Sequence, residues 1–387
     1  MISLFRGTVP LGMEHGTVGV NSHGSMYEVT TFRRDIETDG RRAIVEFADT
    51  VEEDLARRDF TINAIAWRPA SGDWIDPFKG EDDLRARRLR AVGDPAERFT
   101  EDRLRVFRGI RFAGRFGLTV EPDTDRALRE AVPDLRGLSA ERVRDELLKV
   151  LDSPDPRPAL ALYASTGVLD IWYPELAERG NDAAGLRAVK AVSVSRPLVR
   201  LARWLAQVAE RAAARRIVAA AIVRRLKFST AQQQRVAGLA EHYGRTPGSG
   251  ASPADIRRWL STVKGSWRDV LRLGIADLRA GLGNGATPSG ADDGLRQAAL
   301  GLEQPEGQVE FLGVWRLIHG QHLAGPPLTV GDLAVRGHHL TAMGMRGPEV
   351  GRALRRLLDH VIEHPEENVR DRLLALARKS GEVSDDA

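Results

Sequence analysis

The chain contains no cysteine, which excludes disulfides and thiolate metal sites. It has no apolar run of membrane-spanning length and no secretory hydrophobic region, so no membrane span is expected and a cytoplasmic location is. Net charge is also nearly absent: 57 basic residues against 54 acidic ones leave +3. That balance excludes a surface that attracts nucleic acid everywhere, and any such surface must be local. What is present is ordinary for a globular protein, with 42% hydrophobic and 29% charged residues. A length of 387 residues suits two or three domains and a sizeable core.

Charge is concentrated in Arg98-Phe99-Thr100-Glu101-Asp102-Arg103-Leu104-Arg105-Val106-Phe107-Arg108-Gly109-Ile110-Arg111-Phe112. Thr100 is expected to cap a helix here, with Glu101 and Asp102 in its first turn. At 3.6 residues per turn, Arg105, Arg108, Arg111 and Arg115 share one side, and Val106, Ile110, Ala113 and Phe116 lie roughly opposite. A solvated charged face explains such a stripe as well as a binding role does. Asp102, three residues before Arg105, favours binding. A carboxylate accepts hydrogen bonds and a guanidinium donates them. Together they match a base edge that offers an amine beside a ring-nitrogen acceptor, as cytosine and adenine do. Guanine and uracil present the reverse. Arg108 and Arg111 are then placed to hold phosphates.

Along the chain, alternation and β-branching predict strands at 16–20 and 27–32 around a turn at 21–24, with a third strand at 44–47. A two-stranded piece needs further strands to be stable. Residues 34–43 are polar and are expected to form a loop. Short elements follow: Glu52–Trp67 entering the core through Phe60, Ile62 and Ile65, a turn at 74–80, a helix near 82–87 and a strand at 89–92. Beyond Gly117 the pattern is helical. Pro122-Asp123-Thr124-Asp125 starts one helix, and Ser139 is expected to cap another at 140–151. Further helices are expected at 157–167, 183–192, 197–213, 215–227, 230–243, 348–363 and 368–379. The segments 244–253 and 281–294 are rich in Gly, Pro and Ser and read as linkers.

Arg57-Arg58-Asp59-Phe60-Thr61-Ile62-Asn63-Ala64 and Glu101-Asp102-Arg103-Leu104-Arg105 resemble the second and fourth motifs of the bacterial-type (class II) tRNA nucleotidyltransferases. That family belongs to the polymerase-β superfamily and includes the CCA-adding enzymes and bacterial poly(A) polymerases. Asp76-Pro77-Phe78-Lys79-Gly80 with Asp83-Leu84 resembles the third motif, and Leu138-Ser139-Ala140-Glu141-Arg142 with Glu146-Leu147 the fifth. The tail segment 348–374 resembles the family's C-terminal region, so the likeness runs in order along the chain.

The resemblance implies an α+β fold: a partial nucleotidyltransferase head (1–95), a neck with the nucleotide-template helix (96–155), a helical body (156–285) and a helical, tRNA-binding tail (286–387). It implies transfer of C and/or A from CTP or ATP to the tRNA 3′ end. Arg58 would hold the triphosphate, with Asn63 supporting the site. Asp102 and Arg105 would read the base, and Arg108 and Arg111 would line the phosphates and sugar. Asp59 would brace neighbouring arginines. The resemblance also implies Mg²⁺ held by an upstream Asp-x-Asp pair that follows a glycine turn. This sequence has no such pair in that place. Asp123-Thr124-Asp125 has the spacing but reads as a helix start after Pro122. Glu28 is a weak candidate for an auxiliary carboxylate, and a solvent-facing strand Glu is the simpler reading. The expectation is a start codon assigned too far downstream; a true truncation, leaving an inactive RNA-binding relic, is the rival. Poly(A) addition and a nucleotide sensor are further alternatives. No His-Asp pair occurs, so the phosphohydrolase module of some relatives is not expected.

Overall fold

The computed structural model of the chain describes residues 2, 4, 5, 7–12, 16–38, 43–248, 250–280 and 305–382. It divides into two compact units: Met1–Asn181 with Arg224–Phe228, and Asp182–Val223 with Ser229–Ala387.

The first unit opens with β1 (Thr8–Gly12), β2 (Thr17–Ser22) and β3 (Ser25–Thr30), antiparallel and in that order across the sheet. The β2–β3 turn carries His23 and Gly24, both at positive φ (51° and 79°), as a tight hairpin of this hand requires. β1 supplies the further strand that the predicted pair needed.

The expected loop at 34–43 is in part a strand. β4 (Arg33–Thr38) pairs antiparallel with β5 (Ala43–Phe47), from Arg33 opposite Phe47 to Thr38 opposite Ala43. A polar sequence suits a two-stranded ribbon, whose backbone bonds do not depend on apolar side chains. Residues 39–42 lie outside the described residues.

Helix α1 (Val51–Ala56) begins with a Thr50–Glu53 capping box. Its Leu55 packs with Ala64 and Val92 into a small core that Ile75 and Phe78 border. The β6 (Ala66–Arg68) and β7 (Asp73–Ile75) hairpin follows, then α2 (Gly80–Arg85) and β8 (Arg88–Leu89), which runs parallel to β9 (Thr119–Val120). The Asp76 carboxylate caps α2, accepting from the backbone nitrogens of Gly80 (2.7 Å) and Glu81 (2.9 Å).

The arginine-rich stretch is not one helix from Thr100. Helix α3 (Pro95–Glu101) ends at Asp102, which is extended at φ −148° and ψ 103°, and α4 (Leu104–Phe116) starts after it. Thr100 sits in the last turn of α3, its hydroxyl donating to the Ala96 carbonyl at 2.9 Å. Asp94 and Pro95 form the stronger start: the Asp94 carboxylate accepts from the Ala96 and Glu97 nitrogens, and proline suits the first helical position.

Val106, Ile110 and Ala113 of α4 are buried, as the periodicity predicts, and so is Phe107, whereas Phe116 is exposed. α4 packs on α6 (Ala140–Leu151) and α7 (Arg157–Ser165). Gly114 lets the α7 backbone approach, since a Cβ there would lie 2.6 Å from the Ala159 nitrogen. Helix α6 has the predicted bounds, but the Ser139 side chain makes no capping bond. The unit also contains α5 (Pro122–Ala131), whose Asp123 and Asp125 pair with Arg126 and Arg129, and α8 (Val168–Trp172).

The second unit is helical: α9 (Ala183–Ala191), α10 (Pro197–Ala206), most of α11 (Ala212–Arg225), α12 (Thr230–His242), α13 (Pro253–Val263), α14 (Trp267–Arg279), α15 (Pro305–Leu323), α16 (Gly337–Ala342), α17 (Pro348–Glu363) and α18 (Arg370–Glu382). The expected 197–213 helix stops at Ala206. Leu340, Leu357, Val361 and Leu373 anchor the core of the last three helices. The linker expected at 281–294, and with it the 285/286 boundary, lies outside the described residues. No described helix is long and apolar enough to cross a membrane.

Candidate nucleotide-binding site

The two motif segments meet in the first unit. Phe60, fully buried, lies edge-on to Phe112 of α4 with ring centroids 6.0 Å apart. It also lies over Gly109, where a Cβ would come 3.0 Å from the ring. This apolar contact brings the polar residues on either side of Phe60 up to the arginine side of α4.

Asp59 is the junction. Its Oδ1 accepts from the Phe60 nitrogen and from Asn63 Nδ2, each at 2.9 Å, and its Oδ2 accepts from Arg108 Nε at 2.6 Å. Asp59 is buried, whereas a third of the Arg108 side chain is exposed. A carboxylate held by a guanidinium and two neutral donors is well satisfied. The arginine keeps an open side.

Asp54, buried at the end of α1, collects Arg57 at 2.6 Å and Arg58 at 2.8 Å. Burial pushes its carboxyl pKa up, but the hydrogen bonds and charges of Arg57 and Arg58 outweigh that and hold it below the ordinary 3.8. Arg58 is half-exposed in this arrangement.

Arg105 is fixed from three directions. One terminal nitrogen donates to Glu101 (2.5 Å) and to the Arg98 carbonyl (3.0 Å), and the other to the Arg57 carbonyl (2.9 Å). Asp102 stands at the break between α3 and α4. Its Oδ1 accepts from the Leu104 nitrogen at 3.0 Å and its Oδ2 from Arg142 of α6 at 2.6 Å.

Residues 1–90 match the model described as "Poly A polymerase head domain", and residues 117–179 match "Probable RNA and SrmB- binding site of polymerase A". The chain is 44% identical over 187 residues to the CCA-adding enzyme of Levilactobacillus brevis, covering 48% of this chain and 47% of that protein. It is 49% identical over 151 residues to the CCA-adding enzyme of Leuconostoc mesenteroides, covering 38% and 37%. These matches span about half the length of the curated relatives, or less. The crystal structure of the Bacillus stearothermophilus CCA-adding enzyme in complex with CTP aligns over 99% of this chain and 86% of that one, with a TM-score of 0.69 and 28% identity.

Residues 1–90 and 117–179 are thus similar to the head and RNA-binding domains of the poly(A) polymerase family, and the fold is that of the Bacillus stearothermophilus CCA-adding enzyme. The fold is also that of the Thermotoga maritima CCA-adding enzyme complexed with tRNA, at a TM-score of 0.53 and 19% identity over 98% of this chain.

In this chain Arg58, Asn63, Arg105 and Arg108 are joined through Asp54, Asp59 and the Arg57 carbonyl, with Asp102 at the adjoining break. Arg111 does not share this arrangement. It is buried and pairs with Glu146 of α6 at 2.6 Å, its guanidinium 4.2 Å from the Phe112 ring centre. Burial pushes the Glu146 carboxyl up, but Lys149 and Arg111 outweigh it and leave the pKa below the ordinary 4.5. Arg111 is thereby a strut between α4 and α6.

Arg142 was not singled out as a site residue by the sequence. The fifth-motif likeness contained it, but spacing does not reveal a partner 40 residues away. Glu28 is exposed on β3, opposite Gly19 of β2. Among the described residues no three His, Asp or Glu side chains converge as ligands for a metal ion.

Proposed function

We propose that this chain is a tRNA 3′-terminal nucleotidyltransferase that adds C and/or A from CTP and ATP without a nucleic-acid template, in the cytoplasm. The carrying observation is that Asp102 and Arg105, an acceptor and a donor three residues apart, are each held by dedicated partners beside the partly exposed Arg58 and Arg108. Fixed groups discriminate between ligands better than mobile ones, because no reorganisation is needed when the ligand arrives.

In this reading the Asp102 carboxylate accepts from the exocyclic amine of cytosine or adenine. Arg105 donates to the adjacent ring nitrogen. Uracil and guanine would set a carbonyl against the carboxylate and an N–H against the guanidinium, leaving both unsatisfied. Arg58 and Arg108 take the triphosphate as charge-assisted donors. Asn63, through Asp59, keeps Arg108 in place. The tRNA 3′-hydroxyl oxygen bonds to the α-phosphorus, its proton passing to water, and the bond to the β-phosphate breaks to release pyrophosphate.

Competition binding of CTP, ATP, UTP and GTP to the purified chain, in Mg²⁺ buffer, tests the base reading. The pair predicts that CTP and ATP bind at least about tenfold more tightly than UTP and GTP, the weight of one well-made hydrogen bond. Equal binding of all four overturns the reading. Labelled CTP, then ATP, with tRNA lacking its terminal CCA tests the transfer: growth by single nucleotides supports it. Binding of CTP and tRNA without growth removes the transfer and keeps the nucleotide site.

A further inference from the structure

We infer that Arg142 is a positioning residue that sets the plane of the base-reading carboxylate, and so controls discrimination between the amine-bearing bases and uracil. This inference rests on the proposed role of Asp102 and deepens it.

Asp102 has no helix to hold it. It closes α3 in an extended conformation, and its neighbour Arg103 is the cap residue before α4. At such a break a carboxylate turns about χ2 with little restraint. Two bonds remove that freedom. The Leu104 nitrogen holds Oδ1 at 3.0 Å, and Arg142 holds Oδ2 at 2.6 Å from a different helix. With one oxygen tied to the α4 backbone and the other to α6, the plane of the group is defined.

The arrangement still leaves room for a base. An ionised carboxylate has about four acceptor positions, and these two bonds use two of them. Asp102 is 28% exposed and Arg142 34%. A pair this open to water contributes little to folding, so fold stability is a poor account of it. Arg144, two residues on, pairs with Asp145 and donates to the Lys227 carbonyl. It belongs to the same helix but makes no recorded bond to Asp102.

The test compares Arg142→Gln, Arg142→Lys and Arg144→Gln in the full chain. Each is measured for CTP, ATP and UTP affinity and for thermal unfolding. The expected result is that Arg142→Gln weakens CTP and ATP about tenfold or more while leaving UTP nearly unchanged, so that the CTP/UTP preference collapses. Arg142→Lys, which keeps the charge, restores part of the preference, and Arg144→Gln keeps all of it. A purely structural role would lower the melting temperature and weaken all three nucleotides alike. That outcome, or an unchanged CTP/UTP ratio in Arg142→Gln, overturns the inference. If Arg142→Gln does not fold, Arg142→Lys decides alone: a ratio equal to the unmodified chain's overturns it, and a reduced one supports it. Failure of the underlying reading is separate, because the unmodified chain itself would then show no preference for CTP over UTP.

Discussion

Arg105 donates to the backbone carbonyl of Arg57 at 2.9 Å, across 48 residues of sequence. This bond ties the segment ending in Asn63 to the start of α4 through a group that substitution at position 57 cannot remove. Arg105 thus joins the two motif segments, and in the proposed function it also presents a donor to a base. Arg105→Lys keeps the charge but not the fork that reaches Glu101 and the Arg57 carbonyl together. We expect CTP and ATP affinity to fall by about tenfold to a hundredfold, with a modest loss of stability. Isothermal titration alongside thermal unfolding separates the two effects.

Arg111 and Glu146 predict the opposite pattern. Their ion pair is buried at both ends, and breaking a buried pair from one side costs about 3–5 kcal/mol. Arg111→Met should lower the urea midpoint strongly. Nucleotide affinity, measured where the variant is folded, should stay within about twofold of the unmodified chain, because Arg111 touches neither Asp59 nor Asp102. A selective loss of triphosphate affinity without loss of stability would return Arg111 to the phosphate side.

Acid should weaken the first unit through Glu146 and Asp54. Glu146 and Asp54 both have folded pKa values below their ordinary ones, because arginine and lysine partners outweigh burial. A carboxyl lower in the folded state than in the unfolded state adds stability above its unfolded pKa. That stability is lost as the pH falls through the folded value. Urea midpoints should therefore decline from about pH 5 downward. Glu146→Gln should be less stable at neutral pH and show a shallower decline in acid.

Gly80 gives a steric prediction. A Cβ there would lie 2.1 Å from the Thr61 carbonyl oxygen, in the turn Thr61–Asn63. Backbone atoms cannot yield as side-chain tips do. Gly80→Ala should cost at least about 1–3 kcal/mol as overpacking and, by shifting the turn that carries Asn63, weaken nucleotide binding as well. Gly24→Ala is the comparison: it has a positive φ but nothing within 4 Å, so it should affect stability alone.

Several features were legible without tertiary information. The buried side of α4 followed from a 3.6-residue period, since Val106, Ile110 and Ala113 need only local geometry to line up. The bounds of α6 followed from the pattern of its apolar positions. The break at Asp102 did not. Thr-Glu-Asp-Arg is compatible with helix throughout, and the earlier start at Asp94-Pro95 used up the turn that Thr100 would have begun. The β4 strand was missed because its polar residues resemble a loop until the partner strand is in place.

The sequence by itself determined which chemical groups this protein possesses: the motif residues 57–64 and 101–105, an arginine side on α4, and no thiol. Tertiary structure decided what each arginine does. Arg108 bonds to Asp59 across 49 residues, Arg111 to Glu146 across 35, and Arg142 to Asp102 across 40. The reason is physical. A helical period fixes the direction in which a side chain leaves the backbone, whereas an ion pair needs a second chain segment at hydrogen-bonding distance, and only the packed fold supplies it.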